Sequence, residues 1–400
     1  MILLTDEGRA ALELAAEQSD PTSLAAATAL RREFSSELAG AALQQEALRR
    51  KAVAKLGERA RGMLFTPEGL EQATRRPVAE WRARRLVAAG VREVVDLGCG
   101  IAADAMVMAE HGVRVTAVEI DPDTAALAAH NLSWAQTSGG EAAEALVRVG
   151  DALDLAPELL SRPDVAAFVD PARRTSRGRS WRLEDLTPSW GFVLDLVTGG
   201  QPAVVKLGPG VDRAELPAVF TSHVSHRGDA VETTLWSGLD LGGGAGPGIG
   251  EAVLVSDEVR TLSGPPEALP VGPLGRFVHE ADPAVSRAEL VWRLAPDLVQ
   301  LDPHAGYATS DQVLPAPFAT SFTVLEQLDP RPKHLARWVK DHDIGTLEIK
   351  KRGRGGALDL DPAVLRRQLA PRGTQSATVM FCRIGGAVTA LHVQRANHSS

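Results

Sequence analysis

Only two cysteines, Cys99 and Cys382, occur in 400 residues. That scarcity excludes a disulfide framework and a cysteine-based zinc site, and it fits a reducing, cytoplasmic setting. No apolar run reaches about 18 residues, so no membrane span is expected. The opening stretch, MILLTDEGRAALELAAEQ, carries an acid early and no basic start, unlike a secretory signal. The ten histidines are scattered and support no metal site. Neither a Gly-Lys-Ser/Thr phosphate loop nor a Ser-His-Asp nucleophile elbow occurs, and no segment repeats. Aromatic residues are scarce at 4%. Net charge is −8, which argues against a surface coated in basic patches and leaves nucleic-acid contact to local clusters. A hydrophobic share of 44% is ordinary for a globular protein, and 400 residues suffice for two or three domains.

What is present centres on Val94 to Ala105, VVDLGCGIAADA. A β-branched run ends in Asp96, a glycine turn follows at Gly98 and Gly100, and small residues then start a helix. A strand feeding a glycine turn and a helix is how an α/β sheet cradles an adenosine-bearing cofactor. A second strand, RVTAVEI, ends on Glu119, whose carboxylate can accept both hydroxyls of a ribose. Gly-x-Gly alone does not separate cofactors. A dinucleotide site wants a third glycine, and Ala102 stands in its place. An acid two residues before the first glycine, together with Asp170-Pro171-Ala172-Arg173 after a fourth hydrophobic strand, favours S-adenosylmethionine.

The wider pattern places these pieces. Residues 1–80 are rich in alanine, leucine and charge and predict helices, with Asp20-Pro21-Thr22-Ser23 breaking the first and capping the second. Thr66 is expected as an N-cap with Pro67 at the first helical position. Strands are predicted at Val94–Asp96, Arg114–Glu119, Val147–Gly150, Ala166–Asp170, Ala203–Leu207 and Glu232–Ser237. Helices are predicted at Asp104–Glu110, Asp123–Thr137 and Asp185–Val197, with Asp104 capping the first of them. This alternation is that of a doubly wound, mostly parallel, Rossmann-like α/β sheet over residues 81–240. Its ligands sit beyond the carboxyl ends of the strands, where Asp96, Glu119, Asp151 and Asp170 all fall. Residues 241–320 read as a glycine- and proline-rich linker with a small α/β segment, and residues 321–400 as a βαβαββ module.

The set DLGCG, VEID, GDA (Gly150–Ala152) and DPAR resembles the class I S-adenosylmethionine-dependent methyltransferases over about the middle 150 residues. Leu347 to Gly353, LEIKKRG, is similar to the signature of the THUMP-like domain, which follows the methyltransferase domain in one bacterial family. KLGPG after Lys206 and the DPARR run fit that family too. THUMP domains bind RNA in enzymes that modify tRNA.

The resemblance implies roles. Asp96, Gly98, Gly100, Glu119, Ile120, Asp151 and Ala152 would hold the cofactor: glycines beside its methionine part, Glu119 on the ribose, Asp151 and Ala152 at the adenine. Cys99 would only fit the turn. Asp170, Pro171 and Arg173 would be catalytic. A carboxylate and a proline carbonyl can hold the hydrogens of an exocyclic amine and turn its lone pair toward the methyl carbon. Ala172 and Arg173 depart from the second proline and aromatic residue of Asp-Pro-Pro-Tyr, so stacking would fall to an arginine plane or to Trp181 or Trp190. Arg174, Lys206, Lys350, Lys351 and Arg352 would bind the substrate. For Lys206, phosphate binding and simple snorkelling weigh equally. The expected partner is structured RNA, tRNA or rRNA, with no membrane and no metal. The alternatives are a small-molecule or protein methyltransferase, a cofactor-binding RNA module without catalysis, and, last, a hydride-transfer enzyme.

Overall fold

The structure, a computed structural model, describes residues 2–133, 143–173, 183–303, 306–352 and 360–396. The chain divides into two compact units. The first comprises residues 1–221, 231–247 and 255–259; the second comprises 222–230, 248–254 and 260–400.

The first unit opens with five helices: α1 (Asp6–Glu17), α2 (Leu24–Leu30), α3 (Ser36–Leu56), α4 (Pro67–Gln72) and α5 (Arg76–Ala88). Capping sets most of their starts. Thr5, Ser23, Ser35 and Thr66 each accept a hydrogen bond from the backbone three residues on, and Pro67 occupies the first turn of α4. Leu12, Leu30, Leu38, Ala42 and Leu64 close the core of this region. Polar side chains fasten it. Asn131 accepts from the Leu64 amide (2.8 Å) and donates to the Leu64 and Ile101 carbonyls (2.9 Å each). Gln45 likewise exchanges two bonds with the Phe65 backbone.

The sheet follows: β1 (Glu93–Leu97), α6 (Ala103–Glu110), β2 (Arg114–Glu119), α7 (Pro122–Leu132), β3 (Ala145–Val149), α8 (Ala152–Leu159), β4 (Ala166–Val169), the short β5 (Ala172–Arg173) and β6 (Leu186–Thr187), α9 (Trp190–Thr198), β7 (Ala203–Leu207), β8 (Phe220–His226), β9 (Asp229–Ser237), β10 (Gly250–Val255) and β11 (Val259–Gly264). The mixed nine-stranded sheet has the order β11-β10-β8-β9-β7-β4-β1-β2-β3. From β3 to β7 the pairs are parallel, and β7 pairs antiparallel with β9. The fully buried AAFV of β4 and AVVKL of β7 are what a strand covered on both faces requires. Strands are added on one side of β1 as β2 and β3 and then on its other side as β4 and β7, which makes the carboxyl ends of β1 and β4 the switch point of the sheet.

Several expectations shift. The helix expected over Asp185–Val197 starts only at Trp190, capped by Ser189, because Pro188 disfavours helical backbone at the residue before it. Asp104 does not cap α6; Ala102 holds the N-cap position, in left-handed backbone at φ 59°. Strand β8, FTSHVSH, and helix α8, with Pro157 inside it, went unpredicted because buried polar residues and an internal proline hide their pattern.

The second unit carries β12 (Phe277–Ala281), α10 (Pro283–Arg287), β13 (Val299–Gln300), β14 (Ala308–Ser310), β15 (Ala319–Leu328), α11 (Pro332–Asp341), β16 (Ile344–Lys351), α12 (Pro362–Leu369), β17 (Gln375–Ile384) and β18 (Ala387–Arg395). Its seven strands run β13-β14-β12-β15-β18-β17-β16. Leu335, Trp338, Leu347, Leu365 and Phe381 pack α11 and α12 onto this sheet. Elements β15 through β18 trace the βαβαββ order read from the sequence.

Candidate active site

A cavity of about 380 Å³ opens at the carboxyl ends of β1 to β4. Of the sequence-expected residues, Asp96, Gly98, Gly100, Glu119, Ile120, Asp151, Ala152 and Asp170 line it together. Gly98 and Gly100 take positive φ, 90° and 54°, where a side chain would be strained. A Cβ built on Gly100 meets nothing within 4 Å among the described residues, so the turn leaves open space there for a ligand against the backbone.

Glu119 ties this turn to the next. One carboxylate oxygen accepts from the Gly100 amide (2.9 Å) and the other from the Asp121 amide (3.0 Å). A carboxylate has about four lone-pair sites, so each oxygen retains capacity for a hydroxyl. Asp151 caps α8 by accepting from the Leu153 amide (2.8 Å). Ile120 and Leu153 stand exposed at the rim and offer apolar faces for a flat ring. The Cys99 thiol is pushed up by burial, with Asp96 and Glu119 adding to the shift, which leaves it an inert member of the turn.

Asp96 is the electrostatic oddity. It is 2% exposed, and among the described residues its Oδ1 has no hydrogen-bond partner. Burial first, then the nearby carboxylates of Asp104 and Asp170, raises its pKa well above the usual range. An orphaned buried carboxyl oxygen among other acids is costly unless a cation meets it. The cavity therefore suits a positively charged ligand.

Beneath the cavity runs an ion-pair network absent from the sequence reading. Arg82 of α5 bonds Asp104 (2.5 Å) and both oxygens of Glu232 (2.6 and 2.7 Å), and it is 1% exposed. Burial alone would raise Asp104, but Arg82 and Lys206 hold it down to about 2. Lys206 pairs with Asp170, donates to Thr74 (2.8 Å) and lies 3.5 Å from Asp104. Asp170 is raised by burial, a shift that Lys206 opposes. Lys206 is thus a buried lysine held by two carboxylates, not the free phosphate ligand weighed from the sequence. Asp104, expected as a helix cap, is instead the hub of this network. Its one signal in the sequence was an acid in the first turn of a helix beside the glycine loop.

Pro171 is buried and, with Asp170 and Ala172, also lines a second cavity of about 320 Å³. Arg173 falls on β5; its side chain and Arg174, like Trp181, lie outside the described residues. Trp190 is half-buried and packs against the core. In the second unit, Lys350 bonds Glu280 (2.9 Å), Lys351 donates to the Leu360 carbonyl (2.6 Å), and Arg352 bonds Glu280 (3.1 Å) and the Ala281 carbonyl (2.9 Å). These three are therefore not the free basic run that the sequence suggested. The period of two in β16 also turns Lys350 and Lys351 to opposite faces. The first-unit elements that line the cavity but escaped notice are the end of α4 (Gly69, Gln72, Ala73) and the Thr187-Pro188-Ser189 turn.

Comparison with known proteins agrees with this geometry. Residues 319–395 match the family described as THUMP domain-like, and residues 2–52 match a domain of unknown function. An uncharacterized S-adenosylmethionine-dependent methyltransferase of Mycobacterium tuberculosis, found in two strains, is 35% identical over 353 residues, covering 84% of this chain and 91% of the relative. The crystal structure of a presumed methyltransferase from Porphyromonas gingivalis W83 superposes with a TM-score of 0.76 at 19% identity, over 98% of this chain and 99% of that one.

Proposed function

This chain belongs to the S-adenosylmethionine-dependent methyltransferases, and on that premise we propose that it methylates an exocyclic or ring nitrogen of a base in structured RNA, tRNA or rRNA, which the C-terminal THUMP-like domain recruits. The donor set of the larger cavity fits the cofactor. The orphaned Asp96 carboxyl takes the cationic amino end, Gly98 and Gly100 pass beside the methionine part, Glu119 takes the ribose hydroxyls, and Ile120, Asp151 and Ala152 flank the adenine. Bound there, S-adenosylmethionine supplies an electrophilic methyl on a sulfonium.

The protein's own task is alignment. The observation that carries the reading is the position of Asp170, which lines both cavities, with Pro171 beside it on the second. The Asp170 carboxylate and the Pro171 carbonyl accept the hydrogens of the acceptor amine and turn its lone pair toward the methyl. Lys206 fixes the orientation of Asp170 and favours its ionised, accepting form. Support for RNA comes from the THUMP-like match over residues 319–395. Lys350, Lys351 and Arg352 sit on or just after β16 in that module, where Lys350 and Arg352 can meet phosphate by exchanging Glu280 for it and exposed Lys351 can meet it on the other face.

The test is incubation of the full chain with methyl-labelled cofactor and, separately, bulk tRNA, rRNA, lysate protein and small metabolites. Label in RNA nucleosides, identified by mass spectrometry, is the expected outcome. Label only in protein or in small molecules overturns the RNA assignment and leaves the methyltransferase intact.

A further inference from the structure

The second cavity has walls that the sheet alone does not provide. Lys55 comes from the last turn of α3, Glu71 and Gln72 from the end of α4, Ala73 to Arg75 from the α4–α5 connection, and Lys206 to Pro209 from the end of β7 and the residues after it; Pro171 also lines it. It shares Gln72, Ala73, Asp170 and Ala172 with the cofactor cavity. A molecule seated in it therefore reaches the same carboxylate that the cofactor faces.

The charges lining this cavity are unevenly satisfied. Glu232 is taken up by Arg82, and Asp170 by Lys206. Lys55 donates to the carbonyls of Leu70 (2.9 Å) and Glu71 (2.6 Å), and an ammonium has a third proton to give. Burial, then the cations Arg75 and Lys206, lowers Lys55 to about 8, with exposed Glu71 opposing. Arg75 is exposed, and its guanidinium makes no hydrogen bond or ion pair among the described residues. Two cations line one mouth, opposed there by the exposed carboxylate of Glu71, and a bound anion relieves their repulsion. A guanidinium fork beside an ammonium is the donor set that grips a phosphate.

We propose that the second cavity is the acceptor pocket, and that Arg75 and Lys55 hold a phosphate of the nucleotide whose base is presented to Asp170. The inference rests on the RNA reading above and deepens it. The N-terminal helices are then part of the substrate site. The phosphate belongs to an RNA strand or to a free nucleotide, and the two sources are separable by experiment.

The test uses the full chain and its Arg75→Gln, Arg75→Lys, Lys55→Gln and Arg84→Gln variants. Arg84 is an exposed arginine of α5 that does not line the cavity. Affinity for bulk tRNA is measured across a salt series, with adenosine 5′-monophosphate as competitor and S-adenosylhomocysteine affinity as the check on folding. Arg75→Gln is expected to weaken tRNA binding about tenfold and to reduce the salt slope by about one phosphate's worth. Arg75→Lys recovers part, Arg84→Gln changes neither quantity, and homocysteine-nucleoside affinity stays within about twofold throughout. Competition by the mononucleotide assigns the phosphate to a free nucleotide; its failure to compete assigns it to the RNA strand. If Arg75→Gln and Lys55→Gln bind tRNA as wild type does, or if Arg84→Gln loses as much, the acceptor pocket is wrong while RNA methylation stands. If the wild type binds neither tRNA, nor rRNA measured in the same way, nor mononucleotide, both fall.

Discussion

Single residues carry the chemistry, and two of them separate cofactor binding from transfer. Asp170 forms part of the cofactor cavity, yet its ion pair is with Lys206. Asp170→Ala is expected to lower methyl transfer by at least about a hundredfold while S-adenosylhomocysteine affinity, read by calorimetry, stays within about threefold. Loss of cofactor binding instead would place Asp170 in the cofactor's own shell. Asp96 behaves oppositely. Its Oδ1 is unpartnered among the described residues in a buried place, so the ligand cation is its natural counter-charge. Asp96→Asn should weaken S-adenosylmethionine binding by about ten- to a hundredfold, the worth of a hydrogen bond to a charged group. Unchanged affinity in that variant would detach Asp96 from the cofactor. Both acids were legible in the sequence, because each ends or nearly ends a hydrophobic strand.

Elements decide how those residues are held. Helix α5 reads in the sequence as a charged helix beside the cofactor domain, and nothing in RRPVAEWRARRL distinguishes one arginine from another. Packing does. Arg82 is buried to 1%, bridges α6 to β9 through Asp104 and Glu232, and lies with its guanidinium carbon 5.3 Å from the centre of the Phe168 ring. Arg82→Met leaves buried Glu232 without its cation and Asp104 with Lys206 alone, at a cost of about 3–5 kcal/mol. Thermal or denaturant unfolding reads this directly, and Arg82→Met combined with Glu232→Gln should recover part of the loss. A cost below about 1 kcal/mol would show that the network contributes little. The helices capped by Ser23 and Thr66 were easier to foresee, since a cap is a local matter of one side chain and the next three residues.

At the scale of the molecule, the buried acids of the first unit and a buried histidine of the second answer acid with opposite sign. In the first, Asp96 and Asp170 have raised pKa values, so the folded form holds protons that the unfolded chain gives up, and acidification favours folding there. Asp104, held down to about 2, works the other way below about pH 4, as do the exposed Asp20, Asp121 and Asp164, each held down first by a side-chain hydrogen bond, from Thr22, Thr124 and Arg162 respectively. In the second unit, His279 is fully buried between Ser321 (2.9 Å) and Ser310 (3.0 Å), and burial lowers its pKa from 6.5 to about 4. The unfolded chain therefore binds a proton that the folded unit refuses. The stability this residue contributes is complete above pH 6.5 and falls away by about 3 kcal/mol as pH drops to 4. Comparing denaturant unfolding of wild type with His279→Gln at pH 7.5 and at pH 4.5 isolates this contribution. The gap between the two proteins should narrow or reverse in acid, and a gap independent of pH would refute the assignment.

The chain's local order settled much by itself. Strand, glycine turn and helix around Gly98, the acids at successive strand ends, the capped N-terminal helices and the βαβαββ order of the tail are all short-range patterns of period and turn chemistry. Such patterns survive without any partner in space. Only the tertiary structure decided which charges are spent. It buried Lys206 against Asp170, made Asp104 a network hub rather than a cap, tied Lys350 and Arg352 to Glu280, and brought Lys55 and Arg75 to one cavity with Asp170. Ion pairing depends on residues distant in sequence meeting within a few ångströms, and no spacing along the chain encodes that distance.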